Sequence, residues 1–452
     1  MRSAATGEVW DPAESEPWEA LVPSHLRALN DLLDSLWDRS EFHRRKLAGA
    51  GLTRAFRVER WDDVGRLPFT TKDDLRRSLR EAPPLGLHLC AEHTDLVQVQ
   101  ATSGTTGSPS YFGLTAADRD VWSELGARCL TAGGFRPGMT VLHSWSMSRG
   151  FSGGLPVAQM LQYLGTTVLP IGAEAGAQRL LTVLAEQRAD AACGTPNFFQ
   201  YLGDQAPAVL GRPLAELPVR HVVVGGEPGG GIPPIRAAIE RSWGATCTEV
   251  LGNSDIAPLV WGECLDRSGM HFCGHGLVLA ELVDPVTDAP VELAEGAEGE
   301  LIYTSLVRQA SPVLRFRSGD RVRVLGAECG CGRTSPKIRC VGRTDDMLIV
   351  RGVNVWPTAV QEIVVAHRPA TTGAMRIVVD FDGHATNDRL RIRVERAEGL
   401  DEAGAARLGD DLVRAMRSAL VINPDVEIVD PGVLEPPGAA KVRLVERVTP
   451  SA

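Results

Sequence analysis

From Ala116 to about Gly252 the chain alternates helix-patterned and strand-patterned stretches with proline or glycine between them, and this rhythm limits the fold more than any other feature. Residues 116–132 and 175–188 read as helices, and residues 139–143, 189–193 and 219–224 as strands. Ile232, Ile235, Ile239 and Trp243 then mark one helical face, and residues 246–251 another strand. Parallel strands need a crossover helix between them, so this alternation predicts βαβ units and a largely parallel sheet. Ligands of such sheets bind beyond the carboxyl ends of the strands. Here those ends are the loops starting at Thr102, Gly225 and Gly252.

After Gly252 the texture changes. Residues 258–325 hold short alternating segments, LVLAELV and GELIYTSL among them, broken by DP, DAP and EGAEGE turns, which predicts a β-rich, barrel-like part. A last unit starts near Asp345, with strands at 347–350 and 376–379 and a helix over 403–421 bearing Leu408, Leu412, Val413, Met416 and Leu420. Near the N-terminus, Leu26, Leu29, Leu32, Leu33, Leu36 and Trp37 have the spacing of a packing helix. The expected class is α/β: a large domain over 1–344 with its β-rich part at about 258–341, and a small mobile α+β domain over 345–452.

Charge and composition exclude some functions. With 47 basic and 57 acidic residues, a net of −10, a nucleic-acid surface is not expected. The acidic lead MRSAATGEVWDPAESEPWE lacks the apolar core of a secretory signal, and the uncharged run 150–173 is interrupted by Gly153, Gly154, Pro156, Gly165, Pro170 and Gly172. No membrane association is expected. Nine cysteines without a disulfide rhythm fit a reducing cytoplasm with some thiols spent on metal.

The loop Thr102-Ser103-Gly104-Thr105-Thr106-Gly107 follows the alternating run Leu96 to Gln100. Small residues leave backbone N–H groups and hydroxyls free to surround an anion, which suits polyphosphate, though such a hexapeptide is also an ordinary solvated turn. It is not a GxxxxGK[ST] loop, because Gly104 and Gly107 are three apart and Ser108 stands where a lysine would be. Only four of the basic residues are lysines, Lys46, Lys72, Lys337 and Lys441, which makes each a candidate for work arginine cannot do.

The cysteines form a second constellation. Cys329 and Cys331 in ECGCGR can point both thiolates one way, and Cys264 with His271 lies upstream; four such ligands close a tetrahedral zinc site. Cys273 and His275 compete for the upstream places, and a pair of reduced surface thiols is the plainer alternative. With every position filled by protein, the zinc would be structural and would staple the β-rich part.

PFTTKDDLR, ATSGTTGSP, GGEP, LGNSD, GEC followed by GMH, EGAEGELIYTSL, LRFRSGD, CGCGRT and GRTDDMLIVRGVNVWP run in order from about residue 67 to 357. Together they resemble the phenylacetate–coenzyme A ligases, a branch of the adenylate-forming superfamily. The resemblance implies that a carboxylate attacks the α-phosphate of ATP to give an acyl adenylate and pyrophosphate, and that a thiol then displaces AMP. It implies that Thr102, Ser103, Thr105 and Thr106, with Gly104 and Gly107, cradle the β- and γ-phosphates. Gly225, Gly226 and Glu227 would lie beside adenine and the acyl pocket, and Asn253 and Ser254 beside the nucleotide. Asp320 would take the ribose hydroxyls, with Arg317 and Arg343 as nearby cations, and Asp255 would hold Mg²⁺. Lys441 matches the C-terminal lysine that bridges carboxylate and α-phosphate; Asp345 would be the hinge, and Gly352 would approach the thiol channel.

Three departures stand out. Most relatives have glutamate where this chain has Asp255, shorter by about 1.5 Å of reach, an aromatic residue where it has Leu251, and in many cases lysine where it has Ser108. The expected activity is ATP-dependent formation of a coenzyme A thioester from an aryl or arylacetic acid, with Trp145, Phe151, Phe198, Phe199 and Gly225 as pocket candidates. Transfer to a carrier protein, amine or hydroxyl is the alternative, and a non-catalytic binding protein a second. A homodimer is compatible with the sequence, and a small carboxylic acid is the expected partner.

Overall fold

The structure, a computed structural model, describes residues 9–102, 110–148, 150–344, 346–351, 353–434 and 444–448. Ser103, Gly104, Thr105, Thr106, Gly107, Ser108, Asp345, Gly352 and Lys441, all assigned roles above, lie outside the described residues.

The chain opens with helices α1 (Trp18–Arg39), α2 (Glu41–Gly49) and α3 (Lys72–Glu81), followed by strands β1 (Leu96–Ala101) and β2 (Tyr111–Thr115). Next come α4 (Ala116–Ala132), β3 (Thr140–His143), α5 (Leu155–Leu164), β4 (Thr167–Pro170), α6 (Gly176–Glu186) and β5 (Ala191–Gly194). The alternation continues through α7 (Pro196–Leu210), β6 (His221–Gly225), α8 (Pro233–Trp243) and β7 (Thr246–Asn253). Strands β8 (Ala257–Glu263), β9 (Met270–Phe272), β10 (Val278–Val283), β11 (Pro290–Val291), β12 (Glu298–Ser305), β13 (Phe316–Val324) and β14 (Lys337–Arg343) follow without an intervening α-helix.

Twelve of these strands form one sheet in the order β11-β10-β12-β13-β14-β9-β8-β7-β6-β5-β3-β4. The pairs β4/β3, β3/β5, β5/β6 and β6/β7 are parallel, joined by the expected helices. At the β7/β8 hairpin the sheet turns antiparallel. The β-rich stretch is therefore the second half of the same sheet, because a short turn joins β7 to β8 where a crossover helix would have kept the strands parallel. Strands of the parallel half are covered on both faces, and their side chains alternate between two cores. Val141, Ala191, Cys193 and Val223 pack toward α4 and α5. Leu142, Ala192, Val222 and Val224 pack toward α6, α7 and α8. The predicted face of α8 is buried at Ile235, Ile239 and Trp243, and the Trp243 ring stacks on Phe199 at 4.5 Å.

Strands β1 and β2 stand apart as a two-stranded antiparallel hairpin. The loop after Thr102 is thus a hairpin connection rather than the end of a parallel strand. The alternating pattern of Leu96 to Gln100 carried that distinction, since strands buried on both faces read as continuous apolar runs. Here the polar residues face inward: Gln98 Nε2 donates to Gln159 Oε1 on α5 at 2.8 Å, whereas Val97 and Val99 are half exposed.

Beyond Asp346 lie β15 (Leu348–Val350), β16 (Val353–Val355), α9 (Pro357–Ala366), β17 (Thr371–Val379), β18 (Ala385–Thr386), β19 (Arg391–Arg396), α10 (Glu402–Leu420), β20 (Asp425–Val429) and β21 (Val445–Arg447). They form sheets of three and four strands around a core that includes Val350, Ile377, Ile392, Leu412 and Met416. Helix α9 sends Val365 into the core shared by α7 and α8. Nearby, Thr358 Oγ1 donates to the Val341 carbonyl at 2.7 Å and the Arg321 guanidinium lies 5.3 Å from the Trp356 ring. Among the described residues no helix is long and apolar enough to cross a membrane; the uncharged run 150–173 becomes α5 and β4.

Candidate active site

The turn between β7 and β8 is the point on which several elements converge. Asn253 Oδ1 accepts the Asp255 N–H at 3.0 Å, and the Asn253 carbonyl accepts Ile256 N–H at 2.9 Å, so the turn is closed by its own first residue. Ahead of it, a Cβ on Gly252 would lie 1.9 Å from the Pro258 carbonyl oxygen, a contact only glycine allows. Ser254 Oγ accepts from Ser152 Oγ at 2.8 Å. Asp255 is 5 % exposed; its Oδ2 meets Lys72 Nζ at 3.1 Å and its carbonyl accepts Arg308 Nη1 at 2.6 Å.

Lys72 is the first residue of α3, which starts there because Thr71 and Asp74 form a reciprocal capping box. Thr70 joins this segment to the FRSGD strand: its N–H donates to the Arg315 carbonyl and its carbonyl accepts Arg317 N–H. Arg308 is buried, with its guanidinium over Phe112 at 4.9 Å and Trp122 at 5.4 Å, and its Nε and Nη2 have no hydrogen-bond partner among the described residues. His88 is also nearby, its pKa held down at about 4 by burial and then by Arg308. The loop that carries Arg308 is fixed by Asp118, fully buried, whose carboxylate accepts Thr115, Gln309 and Ala310 N–H groups at 3.0, 2.6 and 2.9 Å.

Asp320 and Arg343 are direct neighbours on β13 and β14, with Nη1 donating to Oδ1 at 2.9 Å. Asp320 is buried, and Asn253 Nδ2 approaches the Ser318 carbonyl two residues away. Arg317, on the same strand, is instead committed to Glu300 at 2.6 Å and Asp288 at 2.7 Å.

Gly225 ends β6, and its carbonyl accepts the Trp145 indole N–H at 3.2 Å. Gly226, at φ +87°, a conformation that favours glycine, packs against that ring: a Cβ there would lie 3.5 Å from the Trp145 indole nitrogen. Glu227 Oε1 accepts Asn197 N–H at 3.1 Å, tying the GGEP turn to the start of α7. Below the turn, Glu249 accepts the Gly231 N–H, and its pKa is raised to about 7 by burial and by Glu263. Arg236 pairs with Glu263 at 2.6 Å and also donates to the Gly230 carbonyl. Phe151 bridges Ala101 beside Thr102, whose backbone pairs with Ser110 across the loop mouth. Phe198 and Phe199 face the helix-side core among Leu202, Ile235 and Trp243. Helical periodicity could not tell those two rings from cleft residues, because α7 begins at a strand end. Leu251 packs on the other core.

Cys264 just after β8, His271 on β9, and Cys329 and Cys331 in the loop before β14 come together, all their ligand atoms within 4.8 Å of one another. The Cys264–Cys329 sulfurs are 3.5 Å apart, as are Cys331 Sγ and His271 Nε2. A tetrahedral ion with bonds of about 2.3 Å has sulfur edges of about 3.8 Å, so the donor set fits zinc. His271 Nδ1 faces the Ser335 carbonyl at 3.3 Å, which directs Nε2 to the cluster. Lys337 braces the CxC loop through the Glu328 carbonyl at 2.7 Å. The two competing residues point elsewhere: Cys273 lies beside Cys129, and His275 stacks near His25.

Lys72 and Arg308 are the residues that reasoning from sequence did not place. The scarcity of lysine marked Lys72 without giving it a partner, and Arg308 had no mark in an arginine-rich chain.

Comparison with known proteins matches residues 352–447 to the AMP-binding enzyme C-terminal domain. A phenylacetate-coenzyme A ligase of Thermus thermophilus is 35% identical over 440 residues, covering 93% of this chain and 95% of that protein. The solved structure of 2-hydroxyisobutyryl-CoA ligase in its postadenylation state with 2-HIB-AMP is 25% identical, with a TM-score of 0.90 over 99% of this chain and 94% of that one. Against the same ligase with 2-HIB-AMP and CoA in the thioesterification state, at 26% identity, the TM-score is 0.73 over the same two shares, 99% and 94%.

Proposed function

This chain belongs to the phenylacetate–coenzyme A ligase family and is an AMP-forming ligase, and from that premise we propose that its acid is aryl or arylacetic. The reaction has two halves. A carboxylate oxygen bonds to the α-phosphorus of ATP as pyrophosphate leaves; the sulfur of coenzyme A then bonds to the acyl carbon, its proton is lost, and AMP departs. The observation that carries the acid class is the near-full-length likeness to a phenylacetate-coenzyme A ligase. Trp145, whose indole N–H is held by the Gly225 carbonyl, and Phe151 beside Thr102 would supply aromatic surface. Phe198, 2 % exposed, is left to the core.

Thr102 and the hydroxyl-rich loop after it would hold the ATP phosphates, Glu227 would border adenine, and Asp320 beside Arg343 would take the ribose. Asp255 fits magnesium, since a hard dication takes carboxylate oxygen and only Oδ2 has a partner among the described residues. With magnesium there, the charge of the leaving pyrophosphate would be offset. Lys441 would bridge carboxylate and α-phosphate, on a unit from 345 to 452 that hinges at Asp345 and brings Gly352 to the thiol channel. The Cys₃His cluster would hold a structural zinc. The spacing of the nine cysteines, without a disulfide rhythm, supports a reducing cytoplasm.

Pyrophosphate release is measured with ATP, coenzyme A and a panel spanning phenylacetate, benzoate and 2-hydroxyisobutyrate. Release fastest with an aryl acid, together with its thioester, is expected. Preference for the branched aliphatic acid overturns the acid class, and release without thioester overturns coenzyme A in favour of a carrier, amine or hydroxyl.

A further inference from the structure

We propose that Lys72 is a phosphate ligand of the nucleotide site, held in place by Asp255 until magnesium takes that carboxylate. This rests on the reading of Asp255 as the magnesium ligand. The segment from Thr102 to Ser110 contains no lysine or arginine, so a cation for the phosphates has to come from another part of the chain. Lys72 Nζ lies 3.1 Å from Asp255 Oδ2, and the two partners differ in kind. The Asp255 side chain is 4 % exposed, whereas that of Lys72 is 36 % exposed, so the carboxylate is fixed and the ammonium can be reached by a ligand.

The surroundings favour an anion as the second partner. Arg308 brings a second positive charge to the Asp255 backbone, with Nε and Nη2 unbonded among the described residues. Ser110 Oγ, buried and also without a partner there, lines one small cavity with His88 and Asp255. Lys72 further opens a ten-residue helix whose N-terminal dipole favours negative charge. A dication at Asp255 would repel the ammonium, and a flexible four-carbon stem lets Nζ move to a phosphate oxygen while its own cap at Thr71 stays intact.

The two roles give effects of opposite sign. Lys72→Met removes both the competitor for Asp255 and the phosphate ligand. The full-length protein is titrated with ATP by calorimetry, without acid, over a magnesium series. The expected result is an ATP Kd raised about ten- to hundredfold at saturating magnesium, the range of one charged hydrogen bond, with a lower magnesium concentration at half-effect. Lys72→Arg should return the ATP Kd to within about threefold of the parent while keeping the magnesium competition. An ATP Kd within twofold of the parent in Lys72→Met overturns the proposal, as does a higher magnesium requirement. Asp255→Asn separates the two readings. If it leaves the magnesium requirement unchanged, the assignment of Asp255 falls; if it raises that requirement while Lys72→Met leaves ATP binding intact, only the role of Lys72 falls.

Discussion

Asp118 holds the loop that carries Arg308 against the start of α4, and its removal can be costed. Its carboxylate is fully buried and accepts three backbone N–H groups, one from Thr115 at the start of α4 and two from Gln309 and Ala310 in the loop bearing Arg308. Each hydrogen bond to a charged group contributes about 1.5–3 kcal/mol, and three sharing one carboxylate sum to less than their separate values. Asp118→Ala should then destabilise the chain by about 4 kcal/mol, a large part of the typical total of roughly 5–15 kcal/mol. Asparagine should do little better, because its amide N–H₂ would face N–H groups that need an acceptor. The assay is urea unfolding followed by tryptophan fluorescence, with Trp122 on the same helix as a local reporter. Asp120→Ala is the control, since Asp120 is exposed and pairs with its neighbour Arg119 on the surface; it should shift stability by no more than about 0.5 kcal/mol. A loss below about 1 kcal/mol for Asp118→Ala would refute the argument.

Glu249 predicts a pH dependence. Its folded pKa, about 7, stands above the ordinary 4.5, so the folded chain keeps a proton that the unfolded chain has released. The stabilisation is full below about pH 4.5 and is lost as pH rises to about 7, worth at most about 3.5 kcal/mol at roughly 1.4 kcal/mol per unit. Glu249→Gln should flatten stability between pH 5 and pH 7.5; an unchanged slope in thermal melts would sink the assignment. For the zinc cluster, plasma emission analysis should find about one zinc per chain, and Cys331→Ala should lower both that content and the melting temperature. A metal-free chain that melts at the same temperature as the untreated protein would remove the site.

The parallel half of the fold was legible because local and tertiary signals agree there. Helix α4 has its expected limits, since Thr115 and Asp118 cap one end and Gly133 follows the other. Strands β3, β5 and β6 are short apolar runs that could only be buried. The continuity of the antiparallel half with that sheet was not legible, because strand patterns do not say which edge a hairpin joins. Within the candidate site, Asn253, Asp255, Asp320 and Arg343 were marked by their motifs, but their closeness arises from pairing β7 with β8 and β13 with β14. The ion pair of Lys72 with Asp255 joins residues 183 positions apart, and no local rule connects them.

The docking of α9 has a consequence for turnover. Among the described residues, Val365 in the core of α7 and α8, the Thr358–Val341 bond and the Arg321–Trp356 contact are three of the points where this unit meets the rest, and Asp204 and Arg368 add an attraction of opposite charges. At about 1.5, 1 and 1 kcal/mol the first three alone contribute about 3.5 kcal/mol to the docked arrangement. On the proposed swing of this unit about Asp345, these contacts would have to be broken and remade in each cycle. Enlarging Val365, which is buried, to phenylalanine should overpack that core and cost about 1–3 kcal/mol, so the docked arrangement would be weakened and the melting temperature lowered.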